Sequence, residues 1–152
     1  MPLLELEPLS ALYEADETAW LDAMAELVAQ GRLAELDHAH LAEYLADMAR
    51  RDRREVKNRL AVLLAHLLKW HFQPAQRTRS WERTIEHQRR KLRFDLEGGT
   101  LRDHAAEQLP VVYAYAVRQA AVDTGMPIGA FPPVCPFDWP QIESAPLPGA
   151  SA

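Results

Sequence analysis

Apolar residues recur along this chain at intervals of three and four, and no run shows the two-residue alternation of a half-buried strand. Asp16 can cap a first helix whose buried stripe is Trp20, Met24, Leu27 and Val28, and Gly31 stands where a left-handed residue would end it at Gln30. The segment before it, 1–13, holds Pro2 and Pro8 without a sustained period and reads as an extended or frayed lead-in. Residues 32–36 allow at most one turn. Asp37 then caps a second helix with Leu41, Leu45 and Met48 on one face. The period continues through Val56, Leu60, Leu63, Leu67 and Trp70 to Phe72, where Pro74 stops it.

Read without interruption, 38–72 would be a rod of about 50 Å, longer than the roughly 40 Å diameter of a compact chain of this size. That mismatch predicts a break in the polar run Ala49–Arg54, with Asp52 capping the second piece. The piece over 56–72 is apolar on most sides (Leu60, Val62, Leu63, Leu64, Leu67, Leu68) and is the predicted central helix.

Thr78 or Ser80 can cap a further helix that ends at Gly98–Gly99. Trp81, Ile85, Gln88, Leu92 and Leu96 share one of its faces, and Arg79, Arg83, Arg90 and Arg93 lie opposite. Thr100 with Asp103 resembles a capping box that would start a last long segment, with Ala105, Leu109, Val112, Ala116 and Ala120 as its stripe. Pro110 should kink or restart that segment, and Gly125–Met126–Pro127 ends it. Beyond lie seven prolines in 27 residues, interleaved with Ile128, Phe131, Val134, Phe137, Trp139 and Ile142. So many apolar anchors predict a packed irregular arm, with disorder only over 146–152. The fold class that follows is all-α: one domain over 1–145, a bundle of four to five mostly antiparallel helices under a Pro-rich C-terminal arm.

The net charge of −5 is unevenly spread. Residues 1–49 carry eleven acids against one base, Arg32, whereas residues 50–93 carry fourteen bases against four acids. A basic segment of this kind can bind nucleic acid, but the pI of 5.7 favours neutralisation of the basic middle by the acidic ends. Cys135 is the lone cysteine, which excludes an internal disulfide framework. No apolar run approaches the ~20 residues of a membrane span, and Met1–Ser10 lacks the pattern of a secretory leader. The expectation is a cytoplasmic protein without membrane contact.

No phosphate loop, dinucleotide fingerprint, zincin motif or nucleophile elbow is present, and no cofactor is predicted. His40-x-x-Glu43 and His104-x-x-Glu107 reverse the Glu-x-x-His order of helical di-iron sites, so no metal site is predicted either. One polar constellation stands out. His66, Lys69 and Gln73 share a helix face, and Arg79 and Trp81 can return to it across the Pro74 turn, with Gln88 in the apolar stripe of the next helix. It can be a pocket or partner surface, or a polar tie between helix ends. The arginine face Arg79, Arg83, Arg90 and Arg93 can track phosphates, or pair with Glu86 and Glu97 four residues away as an ordinary solvated face. The leading expectation is a non-enzymatic protein with a protein partner. A nucleic-acid or toxin/antitoxin-type partner that uses 50–93 is the alternative, and an enzyme or metal protein centred on His66 is a weaker one.

The run His66-Leu-Leu-Lys69 with Gln73-Pro74, then Arg79-Ser80-Trp81-x-x-Thr84-Ile85-x-x-Gln88-Arg89, resembles an uncharacterised bacterial family, Domain of Unknown Function family 29. The resemblance extends to Tyr13-Glu14-x-Asp16 with Trp20, to Leu36-Asp37…Leu41-Ala42-Glu43, and to Phe131-Pro132-x-x-Cys135-Pro136. It implies an all-helical fold of bacterial origin, and it implies no reaction.

Overall fold

The computed structural model describes residues 8–150. Among them there is no strand, and six α-helices follow one another: α1 (Leu9–Ala15), α2 (Glu17–Ala29), α3 (His38–Phe72), α4 (Arg79–Asp95), α5 (Gly99–Thr124) and α6 (Trp139–Glu143). The fold is all-α. Contacts divide the chain into two compact units, Met1–Arg50 and Arg51–Ala152.

The first unit is organised around aromatic rings and one carboxylate. Trp20 is fully buried, Tyr13 meets it edge-on with ring centres 4.7 Å apart, and His40 stacks on Tyr13 at 4.4 Å. Asp37 Oδ2 accepts from Trp20 Nε1 at 3.1 Å and faces His40 Nδ1 at 2.7 Å. Its Oδ1 faces the His40 amide at 3.4 Å, as a cap for α3. Asp16 caps α2 through the Ala19 amide, and Gly31 adopts φ +72°, both as the sequence predicts. The predicted stripe of α2 is buried at Trp20 and Met24, but Val28 is exposed, as is Leu45 on the predicted face of the next helix.

The lead-in is helical rather than extended from Leu9 on. Pro8 sits at the N-cap, where its fixed φ suits the start of a helix, and its carbonyl accepts from Ala11 and Leu12. Residues 1–7 of that lead-in lie outside the described residues.

The expected break at 49–54 does not exist, because α3 runs unbroken for 35 residues. Its polar stretch contains no Gly or Pro, and Arg and Ala are strong helix formers. Arg50 pairs with Asp47 and Arg59 with Glu55, one turn away in each case. The helix can exceed the diameter of a single core because the division between the two compact units falls within α3.

In the second unit the C-terminal half of α3 is the centre. Val56, Leu60, Leu63, Leu64, Ala65, Leu67, Leu68 and Trp70 are all buried. Against them pack Ile85, Leu92 and Leu96 from the α4 segment, and Ala105, Val112, Ala116 and Ala120 from α5. Thr78 caps α4 by accepting from the Trp81 amide at 3.1 Å. The predicted Thr100 capping box does not form: α5 already begins at Gly99 behind an extended Gly98, which places Thr100 inside the helix. Pro110 sits within α5 without ending or restarting it.

The arm is packed as predicted by its anchors, although Ile128 and Val134 are exposed. Prolines deprive it of N–H donors, so some of its carbonyls must find donors elsewhere. The helices supply them from side chains. Tyr113 donates to the Pro132 carbonyl at 2.5 Å, and buried Arg89 donates to those of Gln141 at 2.7 Å and Ile142 at 3.0 Å. The Trp70 indole donates to the Pro148 carbonyl at 2.8 Å. That last bond, with Leu147 buried, corrects the expectation of disorder from Pro146 onward for residues 146–150.

Leu63→Ala is expected to lower stability by about 2–5 kcal/mol through lost transfer energy and the cavity left behind, measured by chemical denaturation. Arg89→Met removes two charge-assisted bonds to the arm. Limited proteolysis of that variant should show early cuts within 131–147 that the parent resists.

Candidate functional site

Lys69 lies near the end of α3 with 5 % of its surface exposed, an unusual position for a charged side chain. Two partners compensate for its burial. Its Nζ donates to Asp123 Oδ2 at 3.1 Å, and it stands 5.2 Å from the centre of the Trp81 ring, within cation–π range. Asp123 also accepts from Gln119 Nε2 at 2.9 Å. Burial would raise the Asp123 carboxyl, but hydrogen bonds from Lys69 and Gln119 and the Lys69 charge outweigh it and hold the pKa below the ordinary value. Asp123 occupies the last turn of α5, where the helix dipole disfavours an acid. The lysine offsets that cost.

His66 lies one turn before Lys69, and its Nδ1 is 2.8 Å from the Val62 carbonyl. Nδ1 therefore carries the proton in the neutral ring and Nε2 is the acceptor. Burial, opposed by that carbonyl and assisted by the Lys69 charge, lowers the ring's pKa. His66 and Asp123 line one cavity of about 420 Å³ between α3 and α5, together with Asn58, Ala61, Val62 and Tyr115. A second cavity of about 290 Å³ continues it past Asn58, Ala61 and Tyr115 toward Lys57 and Val111.

The predicted corner is only partly assembled. Lys69 and Trp81 meet, and His66 lies beside Lys69's partner Asp123. Gln73 is half-buried and Arg79 exposed, and among the described residues neither side chain bonds to the cluster. Gln88 instead lines a shallow polar depression with Ser80, Arg83, Thr84 and His87, and its Oε1 is buried without a partner. The carbonyls at the end of α3 are not tied by Lys69 or Gln73 side chains. Arg77 does this, donating to the Trp70 carbonyl at 2.8 Å while its guanidinium stacks on the Trp70 ring.

The expected pairs Glu86–Arg90 and Arg93–Glu97 do not form. Among the described residues no acid lies within ion-pair distance of Arg79, Arg83, Arg90 or Arg93. Sequence reasoning missed Asp123, Arg89 and Tyr115. An acid at the C-terminal end of a helix, against its dipole, was the available signal for Asp123. His40 turns onto Asp37 rather than Glu43, and Cys135 is a half-buried thiol whose pKa burial raises.

The second unit is thus a helical core strapped by an irregular arm, with a half-buried ion pair at one corner and a groove between two helices. The chain belongs to the family described as Domain of unknown function DUF29, which matches residues 12–145. Comparison with curated proteins and with solved structures finds no match.

The ion pair is asymmetric, because Lys69 is sealed and Asp123 reaches solvent with a third of its side chain. Asp123→Ala leaves a buried ammonium with only the Trp81 ring beside it and is expected to be the more destabilising of the two single changes. Lys69→Met leaves a carboxylate that water can reach and should cost clearly less. Since the folded pKa of Asp123 is lowered, the pair's contribution is complete above the ordinary carboxylate range. It is lost as pH falls through the lowered value. Thermal melts of parent and variants from neutral to acid pH check both statements, and the parent's acid sensitivity should be smaller in Asp123→Ala.

Proposed function

We propose that this chain is a small, non-enzymatic, cytoplasmic interaction protein that receives a protein partner on the outer face of α5. The observation that carries this reading is a row of exposed apolar side chains. Val111, Tyr115 and Val122 are 59 %, 67 % and 79 % exposed. They fall at i, i+4 and i+11, on one side of the helix, and Val111 and Tyr115 border the cavities between α3 and α5. Exposed apolar residues scattered singly need no explanation, whereas an aligned row beside a groove is how one helix receives another. The His66–Lys69–Asp123 cluster supports the same reading, because its charges satisfy each other as a structural tie does and leave no activated nucleophile. No helix among the described residues is long and apolar enough to cross a membrane.

A second reading rests on the four arginines of α4 that pair with no acid among the described residues. They would contact phosphates of a nucleic acid, although Glu82 and Glu86 on the same helix dilute that charge.

Native affinity capture separates the two. A partner held by α5 should be lost from Tyr115→Glu and Val122→Asp and retained by Arg83→Ala with Arg90→Ala. Loss of binding only in the arginine variants, with a steep dependence on salt, would transfer the function to α4.

A further inference from the structure

We infer that the partner received by the outer face of α5 includes a second copy of this chain, packed antiparallel against it; this rests on the reading of that face as an interaction surface. The row is completed by Arg118, whose guanidinium lies over the Tyr115 ring at 5.4 Å. Val111, Tyr115, Arg118 and Val122 are spaced four, three and four residues apart, the a/d spacing of a coiled-coil seam. That spacing is also a palindrome. A two-fold axis between residues 116 and 117 sets Val111 against Val122 of the other copy, and Tyr115 against its Arg118. A two-fold interface requires a self-complementary patch, with residue i meeting j and j meeting i. This patch meets the requirement in both shape and charge: apolar faces apolar at the ends, and cation faces aromatic ring at the centre. Each arginine can exchange the ring of its own chain for that of its neighbour.

The flanks have room for the second helix. On the α3 side of the row lie the cavities bordered by Ala61, Val62 and Asn58. On its other side a cavity of about 540 Å³ opens between Ala114, Val117 and Arg118 of α5 and the arm at Ile128, Phe131 and Pro132. Small residues on either side let a helix approach, and the exposed Val62 and Ile128 would be covered with the row. The row from Val111 to Val122 is about 17 Å long. A contact of that length falls at the low end of stable interface sizes, so the dimer should form reversibly with rising protein concentration.

Sedimentation of the full chain over a concentration series should show a monomer–dimer equilibrium that Tyr115→Glu and Val122→Asp abolish. Both positions are exposed, so helical content by circular dichroism should not change. Register is read by disulfide trapping in a Cys135→Ser background. Mixed Val111→Cys and Val122→Cys chains should cross-link to each other, and neither should cross-link to itself. A monomer at every concentration, or cross-linking of Val111→Cys chains to themselves, overturns the inference. A monomer that still captures another protein in a Tyr115-dependent manner overturns the self-pairing alone. A monomer whose captures ignore Tyr115 overturns the interaction face as well.

Discussion

Everything in the second unit answers to the C-terminal half of α3, which is apolar on nearly all sides and must be covered on nearly all of them. From Leu63 to Trp70 only Val62's neighbour His66 escapes full burial, and even a lysine is enclosed. Two further helices cannot surround such a rod, because each covers only a stripe. The remaining surface falls to the arm. This is why a segment with seven prolines is ordered: Phe131, Phe137, Ile142 and Leu147 fill the side that α4 and α5 leave open. Four of its carbonyls, those of Pro132, Gln141, Ile142 and Pro148, are met by Tyr113, Arg89 and Trp70. Burial of the Tyr113 phenol pushes its pKa up to about 12, so it remains a donor throughout the physiological range.

The same constraint accounts for the polar corner. Lys69 is drawn into the interior by its place on a stretch of helix buried on nearly every side, and Asp123 and Trp81 are arranged around it. An ion pair made for that purpose occupies the groups that would otherwise act on a ligand. The outer face of α5, by contrast, presents an aligned row of apolar side chains to solvent although the core has no need of them. The division of labour within α5 is by periodicity: Val112, Ala116 and Ala120 serve the core, and Val111, Tyr115 and Val122 face away from it.

The positions of α2, α4 and α5, the central helix and the caps at Asp16 and Thr78 were legible in the sequence because each depends on neighbours within one or two turns. The anchors Phe131, Phe137 and Ile142 were legible too, as apolar residues that a disordered tail would lack. Some local expectations failed as well, among them the extended lead-in that is α1 and the Thr100 capping box. Others failed because they depended on distant partners. The continuity of α3 was misjudged because size was reckoned for one core, and the tail after Pro146 because nothing local announces that Trp70 will hold the Pro148 carbonyl. At the site, Lys69 and Trp81 were found by their shared corner. Asp123 lies 54 residues away, and Gln88 leaned toward Ser80 and Arg83 rather than toward the cluster. Tyr115 was overlooked because a helix that is apolar on two faces blurs its own period.

The central claim is that the arm is part of the core rather than a cover laid over a finished bundle. Native-state hydrogen exchange tests it most directly. The amides of Phe131 and Ile142, which bond to the Ile128 and Asp138 carbonyls, should exchange only through the global unfolding that exposes Leu63 and Leu67. Exchange of the arm amides at a markedly lower free energy, with the centre of α3 still protected, would contradict the account.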